Sequence, residues 1–347
     1  MKQKKCGKYD LKLSALGLGC WKFGSRDYCR QDIEDAVAIA VANGITYFDT
    51  AETYQEGQSE VELGYALRNI QRDKVVIGSK VYPSNCYKKE LKTHCEASLK
   101  RLKTDYIDLY MIHWPINNFT MHGGTEDKYK IQNPPSLNEA IESLEKLKKA
   151  GKIRYYGVSN FGHINMEKAM LSGGVLTVNE LPYNLLCRAI ELEAVPFCES
   201  NGVGIIAYIC LFQGLLSGKY SKVNDIPELM RRSRHFSFEK NPMAKHSCTG
   251  FEQKTAKALR SLIDIANTHN VTLPELAMKW TVSNPAVSCS LIGTLNPLRI
   301  EAMRRAVSTT LPEEIRQELD SATTQLRDAM GANFDYYYPA IENRINA

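Results

Sequence analysis

No hydrophobic run in the 347-residue sequence reaches the ~20 residues that a membrane span requires; the longest, Gly202 to Leu216, is broken by Gln213 and several glycines. Met1 to Asp10 is polar and has no apolar h-region, so the sequence predicts no secretory signal. Its ten cysteines are scattered, with no Cys-x-x-Cys pair and no Cys/His metal spacing. That pattern argues against a disulfide scaffold and against a metal site, and points to reduced thiols in a cytoplasm. Without a secretory route, the sequon Asn118-Phe119-Thr120 reads as chance. Neither sign of charge dominates: 44 Lys and Arg against 39 Asp and Glu leave +5, too weak a footprint for nucleic acid.

Hydrophobic residues at 44% and charged residues at 24% are ordinary for a globular chain, which excludes disordered, collagen-like and coiled-coil readings. At roughly 150 residues per domain the length admits two ordinary domains or one α/β barrel. Short β-rich runs alternate with helical periodicity. The strand candidates are Leu16 to Gly19, Thr46 to Ala51, Lys74 to Lys80, Ile107 to His113, Arg154 to Asn160, Thr177 to Leu181, Gly204 to Leu211 and Ser290 to Thr294. Helix candidates lie near 31–43, 59–71, 87–101, 136–150, 163–172, 190–201, 254–270 and 297–307. Ser136 with Glu139 marks a helix start, and Asn43-Gly44 and Ala150-Gly151 mark stops. Eight such alternations predict one α/β domain over 1–347, a (β/α)8 TIM barrel with its core at about 11–310 and a helical tail over 311–347. Two long loops, Trp114 to Pro135 and Phe212 to about Gly250, would lie at the C-terminal face, the second with the basic patch Arg231-Arg232-Ser233-Arg234-His235.

A dinucleotide fold of the Rossmann kind is not supported. Gly17-Leu18-Gly19 is followed by Lys22 where the third glycine should stand, and Gly202-Val203-Gly204 precedes a strand instead of following one. Gly214 to Lys219 is one residue short of a P-loop, yet it is a glycine-punctuated turn whose N–H groups suit a pyrophosphate. The second, third and fourth strands each deliver polar residues at their C-terminal ends: Asp49 followed by Tyr54, Lys80, and His113. Adjacent barrel strands bring these ends together. A lysine held cationic by Asp49 would lower the pKa of Tyr54 toward neutrality, leaving Tyr54 to protonate a carbonyl or deprotonate an alcohol while His113 orients the oxygen.

These residues, with Leu16-Gly17-Leu18-Gly19, Phe48-Asp49-Thr50-Ala51-Glu52, Ile112-His113-Trp114-Pro115, Gly151-Lys152-Ile153-Arg154, Gly157-Val158-Ser159-Asn160 and Gly218-Lys219-Tyr220, make the chain resemble the aldo-keto reductase superfamily; Pro182-Tyr183-Asn184-Leu185-Leu186 and the segment 231–236 resemble its longer bacterial-type members. The resemblance implies a barrel that binds a nicotinamide cofactor in an extended form, NADP(H) ahead of NAD(H), and a catalytic tetrad of Asp49, Tyr54, Lys80 and His113. It places Ser159, Asn160 and Glu180 at the nicotinamide carboxamide and Tyr208 against the ring. Leu211, Gln213, Gly214 and Leu216 fall at the pyrophosphate, and Gly293, Thr294 and Arg299 at the adenosine end, where Arg299 suits a 2′-phosphate.

Three departures from the family pattern involve four positions. Glu180 stands where Gln is common, and if ionised it would favour the oxidised ring. Ala302-Met303 replaces a Glu-Asn pair, and Leu295 replaces a basic residue; both weaken the grip expected on NADP(H). Trp21 and Trp114 are expected to roof a substrate site suited to sugars or sugar-derived carbonyls. The function so implied is carbonyl–alcohol interconversion by an oxidoreductase or sugar dehydrogenase. The alternative is a cofactor-sensing subunit resembling potassium-channel β subunits.

Overall fold

A computed structural model describes residues 1–118, 133–241, 243–338 and 344–346. Eight parallel strands close into a barrel: β3 (Leu16–Gly19), β4 (Tyr47–Asp49), β5 (Val76–Val81), β6 (Ile107–Ile112), β7 (Ile153–Ser159), β8 (Val178–Pro182), β9 (Gly204–Tyr208) and β10 (Val287–Ile292). All eight expected strands are present, in order. An antiparallel hairpin of β1 (Gln3–Lys5) and β2 (Lys12–Ser14), which the sequence analysis did not predict, precedes them. Leu11, Leu13 and Cys6 of this hairpin pack with Tyr47, Leu109, Met111, Val178, Ile206 and Cys289, and so plug the barrel's lower end.

Around the barrel run α1 (Arg30–Ala42), α2 (Gln58–Ala66), α3 (Lys88–Leu102), α4 (Leu137–Lys149), α5 (His163–Leu171), α6 (Ala194–Asn201), α7 (Glu252–Thr268), α8 (Leu273–Ser283), α9 (Pro297–Val307) and α10 (Glu313–Met330). Ser136 caps α4 by accepting from the Glu139 backbone N–H, and Gly151 follows its end in the left-handed region, as the end signals predict. The tail helix is α10, packed on α7. Helix α8 was not expected, although Thr272 and Glu275 form its capping box and Pro274 lies in its first turn.

Several boundaries need correction: the strand expected over Ser290–Thr294 runs Val287–Ile292, and the helix expected from about 190 begins at Ala194. The strand expected to reach Leu211 ends at Tyr208, because Ile209, Phe212 and Gln213 take positive φ and turn the chain across the barrel mouth. The helix expected over 59–71 ends at Ala66. Of the loop Trp114 to Pro135, including most of the Asn118 sequon, residues 119–132 lie outside the described residues, as do 339–343 and 347 of the tail.

Strand periodicity sets the site. On β4, alternate residues Tyr47 and Asp49 face inward, Tyr47 among the apolar residues of the interior and Asp49 one layer higher, in the cleft at the mouth. Tyr47 fills the barrel beneath Asp49 and donates a hydrogen bond to it at 3.2 Å. Gly78 makes this possible, since a Cβ there would lie 2.3 Å from the Tyr47 hydroxyl. Gly78→Ala is therefore expected to destabilise the fold by ~1–3 kcal/mol through overpacking. Urea denaturation checks this, and unchanged stability would show that Tyr47 has room to move.

Candidate active site

Lys80, at the upper end of β5, is fully buried. Its ammonium donates to both carboxylate oxygens of Asp49 at 2.7 Å and to the Thr50 carbonyl at 3.0 Å, and lies 3.4 Å from the Tyr54 hydroxyl. Burial works against its charge, but Asp49 and then Glu180 outweigh that and hold its pKa above the ordinary lysine value. The sequence-predicted quartet does converge: the Tyr54 and His113 rings meet edge to face with centroids 5.5 Å apart.

The expected tuning of Tyr54 is corrected. Burial pushes its hydroxyl up, and the pull of Lys80 in the opposite direction does not overcome it. Tyr54 is thus a protonated hydroxyl at neutral pH, poised to donate. Burial and then Lys80 drive the pKa of His113 well down, so its ring is neutral. A neutral imidazole can donate a hydrogen bond to an oxygen without competing as an acid.

Next to this group Ser159, Asn160 and Tyr208 form a chain. Tyr208 donates to Asn160 Oδ1 at 2.6 Å, Asn160 donates to the Ser159 hydroxyl at 3.0 Å and to the His113 carbonyl at 3.1 Å, and Ser159 donates to the Glu180 carbonyl at 3.0 Å. Glu180 Oε1 lies 3.4 Å from the Lys80 ammonium, whereas Oε2 is buried without a hydrogen-bond partner. Burial first, and then the Asp49 carboxylate, raise the Glu180 pKa well above the ordinary range against the pull of Lys80.

These side chains open into a cleft of about 2090 Å³, also lined by Trp21, Trp114, Leu211, Gln213, Gly214, Gly293, Thr294 and Arg299. Among the expected cofactor residues only Leu216 is absent from the lining; it is fully buried in the core behind the turn. The cleft exceeds the ~300–1,000 Å³ of a single small-molecule pocket, room enough for a dinucleotide and a second ligand. An unpartnered buried carboxyl oxygen beside uncharged amide and hydroxyl groups fits a carboxamide-bearing ring, so the residues suit a nicotinamide cofactor.

Several lining residues were not anticipated. Tyr337 accepts a hydrogen bond from Gln213 at 2.5 Å, and Arg344 stacks on Trp114 at 3.8 Å; both come from the tail, where only the aromatic run Tyr336-Tyr337-Tyr338 hinted at them. Asn267, Asn270 and Thr272, from the α7–α8 corner, line the same cleft as Arg299. The basic patch divides. Arg231 binds the Ile226 and Asn224 carbonyls, Arg234 binds the Asn333 carbonyl, and His235 is buried; Arg232 is the member of the patch that lines the cleft, as does Lys245.

Residues 15–324 match the model of the Aldo/keto reductase family. The chain belongs to this family. It is accordingly an NAD(P)(H)-dependent oxidoreductase, as the sequence motifs predict. It is 28% identical over 355 residues to the "NADH-specific methylglyoxal reductase" of Escherichia coli (strain K12), covering 95% of this chain and 96% of that protein. It is likewise 28% identical over 328 residues to the "Probable voltage-gated potassium channel subunit beta" of Arabidopsis thaliana, covering 88% and 91%. Among solved structures, the aldo-keto reductase from Klebsiella pneumoniae in complex with NADPH matches with a TM-score of 0.69 at 28% identity, covering 92% of this chain and 95% of that one.

A buried histidine kept neutral adds stability above its unfolded pKa of about 6.5 and loses it as the pH falls below that, because only the unfolded chain takes up the proton. Between pH 7.5 and 5.5, His113→Asn should therefore lose less stability than the parent, by up to about 1.4 kcal/mol. Denaturant curves at the two pH values test it; parallel losses would mean that His113 is protonated in the native reductase.

Proposed function

We propose that this reductase interconverts a sugar-derived carbonyl and its alcohol, with Tyr54 as the general acid and base. The observation that carries the proposal is the protonated Tyr54 hydroxyl held 3.4 Å from a Lys80 ammonium that Asp49 anchors. A nicotinamide bound in the cleft supplies or accepts the hydride. His113 orients the carbonyl oxygen, Tyr54 protonates it, and Lys80 stabilises the tyrosinate left behind. In the oxidative direction the same tyrosinate takes the alcohol proton, so reduction should weaken and oxidation strengthen as the pH rises.

NADP(H) is the preferred cofactor in this reading. Arg299 is exposed in the first turn of α9, where the helix N-terminus and the guanidinium both favour a 2′-phosphate. Against it stand Leu295, Ala302 and Met303, apolar residues lining the same cleft, and the name of the Escherichia coli relative. On the substrate side, Trp21, 57% exposed, and Trp114 offer flat apolar faces, and Arg232 and Lys245 add positive charge. Sugar acids or sugar phosphates fit that mixture better than steroids do. Ten free cysteines, eight of them buried, suit a reducing cytoplasm, and among the described residues no helix is long and apolar enough to cross a membrane.

Likeness to a protein named as a channel β subunit supports a second reading, a cofactor-sensing subunit with little turnover. A panel of aldehydes, ketones, sugars and anionic sugars separates the two. The enzyme reading expects turnover that falls by ~10²–10⁴ in Tyr54→Phe with cofactor binding retained. No Tyr54-dependent turnover across the panel, with tight cofactor binding, would favour the sensor. Fluorescence titration should find Arg299→Ala weakened more for NADPH than for NADH; equal losses would remove Arg299 from the 2′-phosphate.

A further inference from the structure

Two carboxyl groups share one buried cation in this site. Asp49 takes the Lys80 ammonium with both oxygens at 2.7 Å, whereas Glu180 reaches it at 3.4 Å through Oε1 alone and leaves Oε2 without a partner. The other titratable groups facing Glu180 are Tyr47 and Asp49 on β4, Tyr54 beyond it, Tyr208 on β9 and Cys289 on β10; Ser159 and Asn160, on the β7 side, are uncharged. Every tyrosine among them, and the thiol, is held protonated by burial. The charge count around Glu180 is thus one cation and one committed carboxylate. A second, unpartnered carboxylate would stand uncompensated in a closed site, whereas a neutral acid does not.

We infer that Glu180 is a proton store coupled to the cofactor: it is protonated when the cleft is empty or holds the reduced cofactor, and it ionises when the positively charged oxidised ring binds. The inference rests on the proposed cofactor site. A unit positive charge a few ångströms from a carboxyl lowers its proton affinity by about 100-fold, which favours release of the Glu180 proton to solvent on binding. The balance over an oxidation closes. Glu180 loses a proton as the oxidised cofactor binds. The Tyr54 hydroxyl then passes its own proton to the ionised Glu180 by way of the Lys80 ammonium, 3.4 Å from each. The tyrosinate so formed takes the hydroxyl proton of the alcohol as the carbinol hydride leaves to the cofactor, which returns Tyr54 and Glu180 to their protonated states. A glutamine at 180 keeps the amide contacts and has no proton to give.

Binding of oxidised cofactor should then tighten about tenfold for each unit the pH rises toward the pKa of free Glu180, because a proton leaves on binding, while binding of reduced cofactor stays flat. Calorimetric titration of the full-length protein at pH 7, in two buffers of different ionisation enthalpy, reads the proton directly. About one more proton is expected to be released with NADP⁺ than with NADPH; the 2′-phosphate is common to both, so the difference reports the ring charge. In Glu180→Gln the difference should vanish and the pH dependence of NADP⁺ affinity should flatten to less than twofold per unit, with NADPH binding showing that the variant is folded. Tight binding of both forms with no difference in protons overturns this inference alone, as does a difference that survives in Glu180→Gln. Failure of the parent to bind either form overturns the cofactor site and this inference with it.

Discussion

The Lys80 ammonium, wholly enclosed by the barrel, is the group around which this structure is arranged. An isolated charge at such depth would be expelled or neutralised. Three oxygens, two from Asp49 and one from Thr50, hold it in place. Such a pair is weak evidence for stability, since burying both ions costs about what their attraction returns. Its consequence is positional. With three donors already directed, the ammonium presents its remaining face to Tyr54 and Glu180, so the acid, the cation and the second carboxyl keep fixed relations. The layer beneath makes that rigidity possible: Tyr47 fills the interior under Asp49, and the β1–β2 hairpin seals the lower end.

Much of this was legible in the sequence because barrel strands are short apolar runs whose terminal polar residue stands out. Asp49, Lys80 and His113 were each the last polar group of a strand, and one topological rule gathered them. The hairpin escaped notice since Gln3–Lys5 and Lys12–Ser14 are three-residue strands with no alternation to read. Tyr337, Arg344 and Lys245 escaped for another reason: they reach the cleft from segments that neither adjoin the strand ends nor carry a periodic signal. The direction of the Tyr54 shift was likewise out of reach. Proximity of a lysine can be inferred from topology, whereas the depth of burial that outweighs it belongs to the assembled walls of the cleft.

Backbone strain is concentrated at the same place. Of the nine non-glycine residues with positive φ among the described residues, Gln55, Glu56, Asn160, Ile209, Phe212 and Gln213 follow the barrel strands at the cleft. For Ile209, which is β-branched, this conformation is strongly disfavoured. Strained residues persist only where their surroundings over-determine them, and here Gln55 follows directly on Tyr54, Asn160 on β7 and Ile209 on β9. The strain turns the chain back across the mouth immediately after β7 and β9. That brings Asn160 onto the His113 carbonyl and Gln213 onto Tyr337, which a regular continuation of either strand would carry away from the cleft.

Two opposing electrical demands meet in this site, and different residues answer them. In the proposed reaction, donating a proton to a carbonyl requires Tyr54 to keep its hydrogen in a dry setting, which burial favours, and His113 to be uncharged, which burial and Lys80 favour. Those same conditions leave the cleft short of negative charge at the moment a cationic ring must be held. Asp49 cannot supply it, being committed to Lys80 through both oxygens. Glu180 brings a second carboxyl to Lys80 with one oxygen buried and free of hydrogen bonds, and the proposed proton exchange with the cofactor draws on that oxygen. A glutamate at this position therefore does more than replace an amide acceptor. It lets the net charge of the site follow the redox state of its ligand while Tyr54, Lys80 and His113 keep the protonation states that the chemistry needs.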